Sequence, residues 1–203
     1  MKGFYFITDS RLSRSGNASD VRSALKAGVK VVQYREKNKS SREMFEEALK
    51  LRRICSGVIF LVNDRVDIAL AVGADGVHLG QDDMPLTIAR KILGKKMLIG
   101  FTVHNLKEAL LAQKQGADYL GVSPIFLTAT KLDSGKPVGL SMLKKIRRHI
   151  KVPIVAVGGI NLSNTKEVFL SGADSVSAIS AVLSKKDVKK EIDKFQDLYN
   201  MLS

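Results

Sequence analysis

Several short stretches of the sequence carry residue types suited to holding phosphate groups and a divalent cation. Gln33-Tyr34-Arg35-Glu36-Lys37 sets an amide and two cations at alternate positions, and the period of two in an extended chain turns Val31, Gln33, Arg35 and Lys37 to one face. Cations facing a barrel-like interior are costly unless something anionic meets them, so this face implies an anionic ligand or acidic partners. A strand that simply ends in solvated charge would read the same way. Asn63-Asp64-Arg65 and Gln81-Asp82-Asp83 each place carboxylates just beyond a short apolar run. Asp64 and Asp83 suit Mg²⁺, which is commonly held by one or two carboxylates while water and phosphate oxygens complete its shell. The same carboxylates also suit salt bridges to Arg35 and Lys37, and Asp64 suits a helix N-cap.

A second group lies in the other half of the chain. Residues 123–137 form a long stretch without periodicity, in which Thr128, Thr130 and Lys131 supply hydroxyls and a cation fit for phosphate. Such a stretch reads as a lid or binding loop, or as plain surface loop. Gly158-Gly159-Ile160 offers backbone where side chains are absent, and Ile179-Ser180 adds a small hydroxyl. Glycine permits close approach to an anion, or else serves a tight turn.

These residues need elements to position them, and an internal repeat supplies the plan. Gly73-Ala74-Asp75, Gly116-Ala117-Asp118 and Gly172-Ala173-Asp174 each follow a segment with helical apolar spacing and precede a short apolar run, and Ala27-Gly28-Val29 opens a fourth run similarly. A helix stopped by glycine that passes at once into a buried strand is the αβ turn of a parallel sheet. Strands are expected near 4–8, 30–35, 58–62, 76–79, 97–100, 119–122, 153–157 and 175–179. Helices are expected near 18–27, 40–54, 65–72, 85–93, 105–115, 139–149, 163–171 and 187–201. Strict alternation of this kind predicts an α/β protein with a (β/α)₈ TIM barrel as a single domain over 1–203, smaller than the roughly 250 residues usual for the class. A doubly wound open sheet is the alternative. In the barrel, the carboxyl ends of the strands carry the active site, which is where every stretch named above falls.

Composition bounds the rest. The chain has 203 residues, is 45% hydrophobic, and has 33 Lys+Arg against 20 Asp+Glu, a formal net charge of +13. The apolar content argues against disorder, and the charge points to anionic partners without naming them. No apolar run approaches the ~18 residues of a membrane span, and Asp9 follows Phe4 to Ile7 too soon for a secretory leader, so a soluble cytoplasmic protein is expected. Cys55 is the only cysteine and reads as a small core residue. His78 reads as a satisfied interior histidine ahead of a metal ligand, His149 as a helix-end cation, and His104 stands at a strand mouth. Basic residues scatter over helices without a nucleic-acid motif or interleaved aromatics, and Trp is absent, so no nucleic acid and no membrane is expected as partner. A homo-oligomer is compatible with the sequence.

Taken in order, Gln33-Tyr34-Arg35-Glu36-Lys37, Asn63-Asp64-Arg65, Gly76-Val77-His78-Leu79-Gly80-Gln81-Asp82-Asp83, Thr128-Ala129-Thr130-Lys131, Gly158-Gly159-Ile160 and Ile179-Ser180 resemble the thiamine-phosphate synthase family. The resemblance runs from Tyr5-Phe6-Ile7-Thr8-Asp9 to the last strand. It implies a (β/α)₈ barrel that joins the pyrimidine diphosphate of thiamine biosynthesis to a thiazole phosphate and releases pyrophosphate. It further implies that Gln33, Arg35, Lys37, Asn63, Thr102 and Lys131 contact the pyrimidine diphosphate, that Tyr34 and Glu36 are among the substrate-binding residues, that Arg35, Lys37 and Lys131 are catalytic, and that Asp64 and Asp83 hold Mg²⁺. Thr128, Ala129, Thr130, Gly158, Gly159, Ile179 and Ser180 would receive the thiazole phosphate. Ser123 stands where the family often has glycine and Leu127 where it often has proline, both in the long loop. A thiazole phosphate tautomerase on the same barrel, with His104 moving the proton, is the alternative activity.

Overall fold

The computed structural model of the chain describes residues 1–128 and 136–202. Its strands are β1 (Gly3–Ile7), β2 (Val31–Tyr34), β3 (Ile59–Asn63), β4 (Gly76–Leu79), β5 (Leu98–Val103), β6 (Tyr119–Val122), β7 (Ile154–Val157) and β8 (Ser175–Ser177). They pair in parallel and in sequence order, and β8 closes on β1, giving a barrel. The connecting helices are α1 (Asn17–Lys26), α2 (Ser41–Ile54), α3 (Val66–Ala71), α4 (Leu86–Leu93), α5 (Leu106–Lys114), α6 (Gly139–His149) and α7 (Leu162–Leu170). After β8 come α8 (Ile179–Leu183) and α9 (Val188–Asn200). The expected (β/α)₈ barrel is therefore present, and the open sheet is not.

Two expectations need correction. The fifth strand extends to Val103 because Thr102 and Val103 pair with Gly121 and Val122, so Thr102 belongs to the strand and not to the loop behind it. The eighth strand stops at Ser177, and Ile179 and Ser180 open the short helix α8, a boundary that the mixed small and apolar residues of 175–179 do not mark.

Alternation along each strand divides the core in two. Outward residues such as Phe6, Val32, Phe60, Val62, Val77 and Ile99 pack beneath the helices. Inward residues Tyr5, Ile7, Val31, Leu61, Tyr119 and Val155 fill the barrel interior. Cys55 is buried at the end of α2, where burial pushes its thiol up to about 12, in keeping with a small core residue.

The Gly-Ala-Asp repeat proves to be a locking device at the rim opposite the strand carboxyl ends. Asp118 donates its N–H to the Ile99 carbonyl at 2.8 Å, while its Oδ2 accepts from the Ile99 N–H at 2.7 Å and from Arg90 of α4 at 2.5 Å. Asp75 repeats the pattern with Phe60 and Arg52, and Asp174 with Ile154 and Arg147. One carboxylate thus ties the base of each even strand from β4 to β8 to its predecessor and to an even helix. Removing it leaves a backbone N–H and a guanidinium without their acceptor, worth about 1–2 kcal/mol for a partly exposed group. Asp118→Ala is expected to lower Tm by about 2–8 °C in a thermal melt, with activity retained in what remains folded, since the rim lies opposite the site.

Candidate active site

The site grows from the carboxyl ends of the strands. On β2, Gln33 faces the interior and is buried, and Arg35 continues the same face. Arg35 is fixed from both ends: its N–H donates to Thr8 Oγ1 at 2.9 Å, and its guanidinium donates to Asp9 Oδ2 at 3.1 Å. Asp9 is buried and also accepts from the Arg11 N–H. Its role as the anchor of Arg35 has one local signal in the chain: Thr8-Asp9 closes the first apolar run as Asn63-Asp64 closes the third.

Tyr34 and Glu36 point the other way, so the side chains of these two expected substrate contacts do not line the cavity. Tyr34 is fully buried on the outer face of β2, and its hydroxyl donates to Glu47 Oε2 of α2 at 2.8 Å. Burial holds that phenol above its ordinary range, with Glu47 adding to the effect. Glu36 is buried as well and accepts the N–H groups of Lys37 at 2.8 Å and Asn38 at 2.9 Å. Burial alone would raise its carboxyl, but Asn38, Ser10, Lys37 and Lys39 together more than offset this and hold it below its usual range. Glu36 thereby folds the turn that presents Lys37 to the cavity. Strand alternation contains this outcome, since 34 and 36 have opposite parity to 33 and 35.

The acidic residues meet Lys37. Asp64 is the one non-glycine residue with positive φ among the described residues, at 62°, a conformation such residues adopt mainly where surrounding structure enforces it. Its N–H donates to the His78 carbonyl at 2.8 Å, and its Oδ2 accepts from Lys37 Nζ at 2.5 Å. Asp64 does not cap α3, whose N-cap is Arg65 without a side-chain cap. Asp83 bonds the Gly80 N–H through Oδ2 at 2.6 Å. Burial raises the Asp83 carboxyl first and the adjoining Asp64 carboxyl raises it further, against the opposing pull of the Gly80 N–H and Lys37. Two carboxyls this close, with oxygen donors only, suit a hard divalent cation better than they suit each other. No cluster of three or more His, Cys, Asp or Glu fit for a metal occurs among the described residues, so two carboxylates would leave the remaining positions to water and substrate oxygens.

Across the mouth, Gly158 (φ 97°) and Gly159 (φ 65°) follow β7, and Ile179 and Ser180 open α8. The long loop is stitched to this side: Ile125 donates to the Val157 carbonyl at 2.9 Å, Phe126 to that of Gly158 at 3.0 Å, and Val138 to that of Pro124 at 2.8 Å. Ser123 lines the cavity and its carbonyl meets His104 Nδ1 at 2.5 Å, while Leu127 is exposed. His104 itself is not part of the cavity wall. Ala129, Thr130 and Lys131 lie outside the described residues.

One cavity at this end gathers Gln33, Arg35, Lys37, Asn63, Asp64 and Asp83 from one arc of the barrel. From the other arc it gathers Thr128, Gly158, Gly159, Ile179 and Ser180, with Thr102 between. Tyr5, Tyr119 and Ser177, which residue chemistry alone did not single out, form its floor together with His78. Their signal lies in register: Tyr5 pairs with Val31 and Gly100 with Tyr119, on the same face as Gln33.

Comparison with known proteins gives the family. The profile of a family described as thiamine monophosphate synthase matches residues 4–182. A thiamine-phosphate synthase of Methanosarcina barkeri is 56% identical over 196 residues, 96% of this chain and 89% of that one. One from Chloroflexus aurantiacus is 53% identical over 187 residues, 91% of this chain and 86% of that one. The solved structure of a thiamine phosphate pyrophosphorylase from Pyrococcus furiosus superposes with a TM-score of 0.91 at 42% identity, covering 98% of this chain and 96% of that one. With a glycine-and-hydroxyl rim on one arc of the barrel and a cation-and-carboxylate rim on the other, and with relatives this similar along nearly its whole length, the chain is an enzyme of the thiamine monophosphate synthase family.

Proposed function

We propose that this enzyme joins 4-amino-5-hydroxymethyl-2-methylpyrimidine diphosphate to 4-methyl-5-(2-phosphoethyl)thiazole, forming thiamine phosphate and releasing pyrophosphate. The observation that carries the reading is the division of one cavity into two arcs, Arg35 and Lys37 with the Asp64–Asp83 pair on β2 to β4, and the Gly158-Gly159 backbone with Ser180 after β7 and β8, each of a chemistry suited to an anion. A diphosphate and a monophosphate have a place each. Arg35, held by Asp9, and Lys37 would stabilise the negative charge that grows on pyrophosphate as the CH₂–O bond breaks. Asp64 and Asp83 would hold Mg²⁺, which when bound supplies further neutralisation of the diphosphate oxygens.

The bond broken is pyrimidine CH₂–O and the bond formed is CH₂ to the thiazole nitrogen, so no side-chain nucleophile is required. The aminopyrimidine is electron-rich enough to carry positive charge, which favours a dissociative path through a pyrimidine methyl cation. Gly158 and Gly159 can approach the thiazole phosphate with backbone N–H groups, as loops after the seventh and eighth strands often do in this fold. A tautomerase reading gains nothing from the structure, because His104 is engaged with the Ser123 carbonyl and stands outside the cavity wall. No helix of the described residues is long and apolar enough to cross a membrane, and a cytoplasmic location remains our reading.

The test is incubation with both substrates and Mg²⁺, following thiamine phosphate and pyrophosphate together. Equimolar appearance of the two products, abolished by chelation and restored by added Mg²⁺, is expected. Absence of thiamine phosphate under these conditions overturns the reading, and turnover unaffected by chelation removes the metal from it.

A further inference from the structure

Beneath the charged rim, the cavity floor is crossed by an unbroken series of hydrogen bonds that the proposed chemistry does not use. Gln33 Nε2 lies 2.8 Å from Tyr5 Oη, Tyr5 Oη 2.8 Å from Tyr119 Oη, Tyr119 Oη 2.9 Å from His78 Nδ1, and His78 Nε2 2.9 Å from Thr102 Oγ1. Five strands and both inward-facing barrel tyrosines are joined. The rings are held by absent side chains as much as by present ones: a Cβ at Gly100 would fall within the Tyr119 ring, and one at Gly121 would lie 2.9 Å from His78 Cε1.

Such a series has a direction. Each tyrosine hydroxyl has one proton and donates once within the chain, so the groups must point the same way together. With Gln33 Nε2 donating to Tyr5, Tyr5 donates to Tyr119, Tyr119 to His78 Nδ1, and the His78 Nε2–H to Thr102. Reversed, the Gln33 carbonyl would turn inward and its NH₂ toward the cavity. Burial holds both phenols well above their ordinary range, so each keeps the proton the series needs. In the orientation observed, Gln33 Oε1 accepts no bond from the described residues, is not sealed from solvent, and belongs to a side chain that lines the cavity.

We propose that Tyr5, Tyr119 and His78 are positioning residues that set the polarity of the Gln33 amide, so that the floor presents a hydrogen-bond acceptor and selects a heterocycle bearing an exocyclic amine over its oxo counterpart. The inference rests on the proposed function for the identity of the substrate, and goes beyond it in assigning selectivity to residues that need not touch the ring. A site built around a donor rejects an analogue lacking it because its own polar group is then left unpaired, and a freed amide that can turn over loses this discrimination.

Two measurements test it. In the intact protein labelled with ¹⁵N-histidine, three histidines give few signals to assign, and His78 is expected as the neutral tautomer protonated on Nε2. A His78 protonated on Nδ1, alone or as imidazolium, reverses or breaks the series and overturns the proposal. Second, kcat/KM is compared for the 4-amino pyrimidine diphosphate and its 4-oxo analogue in the parent, Tyr5→Phe and Tyr119→Phe. The amino/oxo preference is expected to fall by about tenfold or more in both variants. A folded variant that loses activity on both substrates in equal proportion leaves the preference unchanged and overturns the proposal. Should either variant fail to fold, the tautomer of the parent decides. A parent that makes no thiamine phosphate refutes the proposed function instead, and the histidine spectrum still reads the series independently.

Discussion

Asp64→Gly is expected to lower kcat/KM for pyrophosphate release by about 10²–10³-fold while leaving Tm at or above that of the parent. The two effects have opposite signs because the residue works against its own backbone. Asp64 sits at a φ of 62°, where glycine is free of the steric penalty that other residues meet. Its carboxylate also lies against Asp83, whose carboxyl it helps to raise, so removal relieves repulsion as well. What is lost is the ion pair with Lys37, which is 45% exposed and contributes little to stability. A structural residue would lose stability and activity together. A pyrophosphate-coupled assay beside a thermal melt settles the matter: turnover within tenfold of the parent removes Asp64 from the chemistry, and a clear fall in Tm would make it a structural residue.

Gly158→Ala is expected to act on the opposite arc, raising KM for the thiazole phosphate by about 10²-fold, with KM for the pyrimidine diphosphate changed by less than about threefold. Two obstacles coincide there. The backbone φ of 97° is one that side chains rarely adopt, and a Cβ would lie 2.6 Å from Pro124 Cβ and 2.7 Å from its Cα. Pro124 cannot give way cheaply, because the neighbouring Ile125 and Phe126 N–H groups are bonded to the Val157 and Gly158 carbonyls. The root of the long loop and the phosphate-facing backbone would have to move as one. Strain of this kind costs roughly 1–3 kcal/mol, so a fall in Tm of about 2–12 °C should accompany the kinetic change. Steady-state kinetics with each substrate varied in turn would show it, and equal rises in both KM values would mean that Gly158 shapes the whole cavity instead of one arc.

How legible each feature is in the chain follows from how local its signal is. The Gly-Ala-Asp repeat announced parallel αβ units because a helix stop next to a buried strand is a matter of adjacent residues. Strand ends were less legible. Thr102 looks like the start of a loop until its pairing with Gly121 is seen, and Ile179-Ser180 reads as strand until β8 is found to stop at Ser177. In both cases the deciding contact comes from a distant segment. Tyr34 and Glu36 illustrate a different limit. They stand inside a stretch of cavity residues and share its chemistry, yet alternate strand positions send them to α2 and to the turn instead.

The alternation of eight strand and helix units, the rim at which polar residues gather, and the separation of cation-bearing from glycine-bearing stretches are all legible in the chain, since each depends on neighbouring residues. That Asp9 anchors Arg35, that Asp64 leaves the helix cap to lie with Lys37 and Asp83, and that Gln33, Tyr5, Tyr119, His78 and Thr102 form one hydrogen-bonded floor emerges from the folded barrel alone. Closing the barrel is what brings these residues, from strands far apart in sequence, within 3 Å or so of one another, and a hydrogen bond exists only at that range.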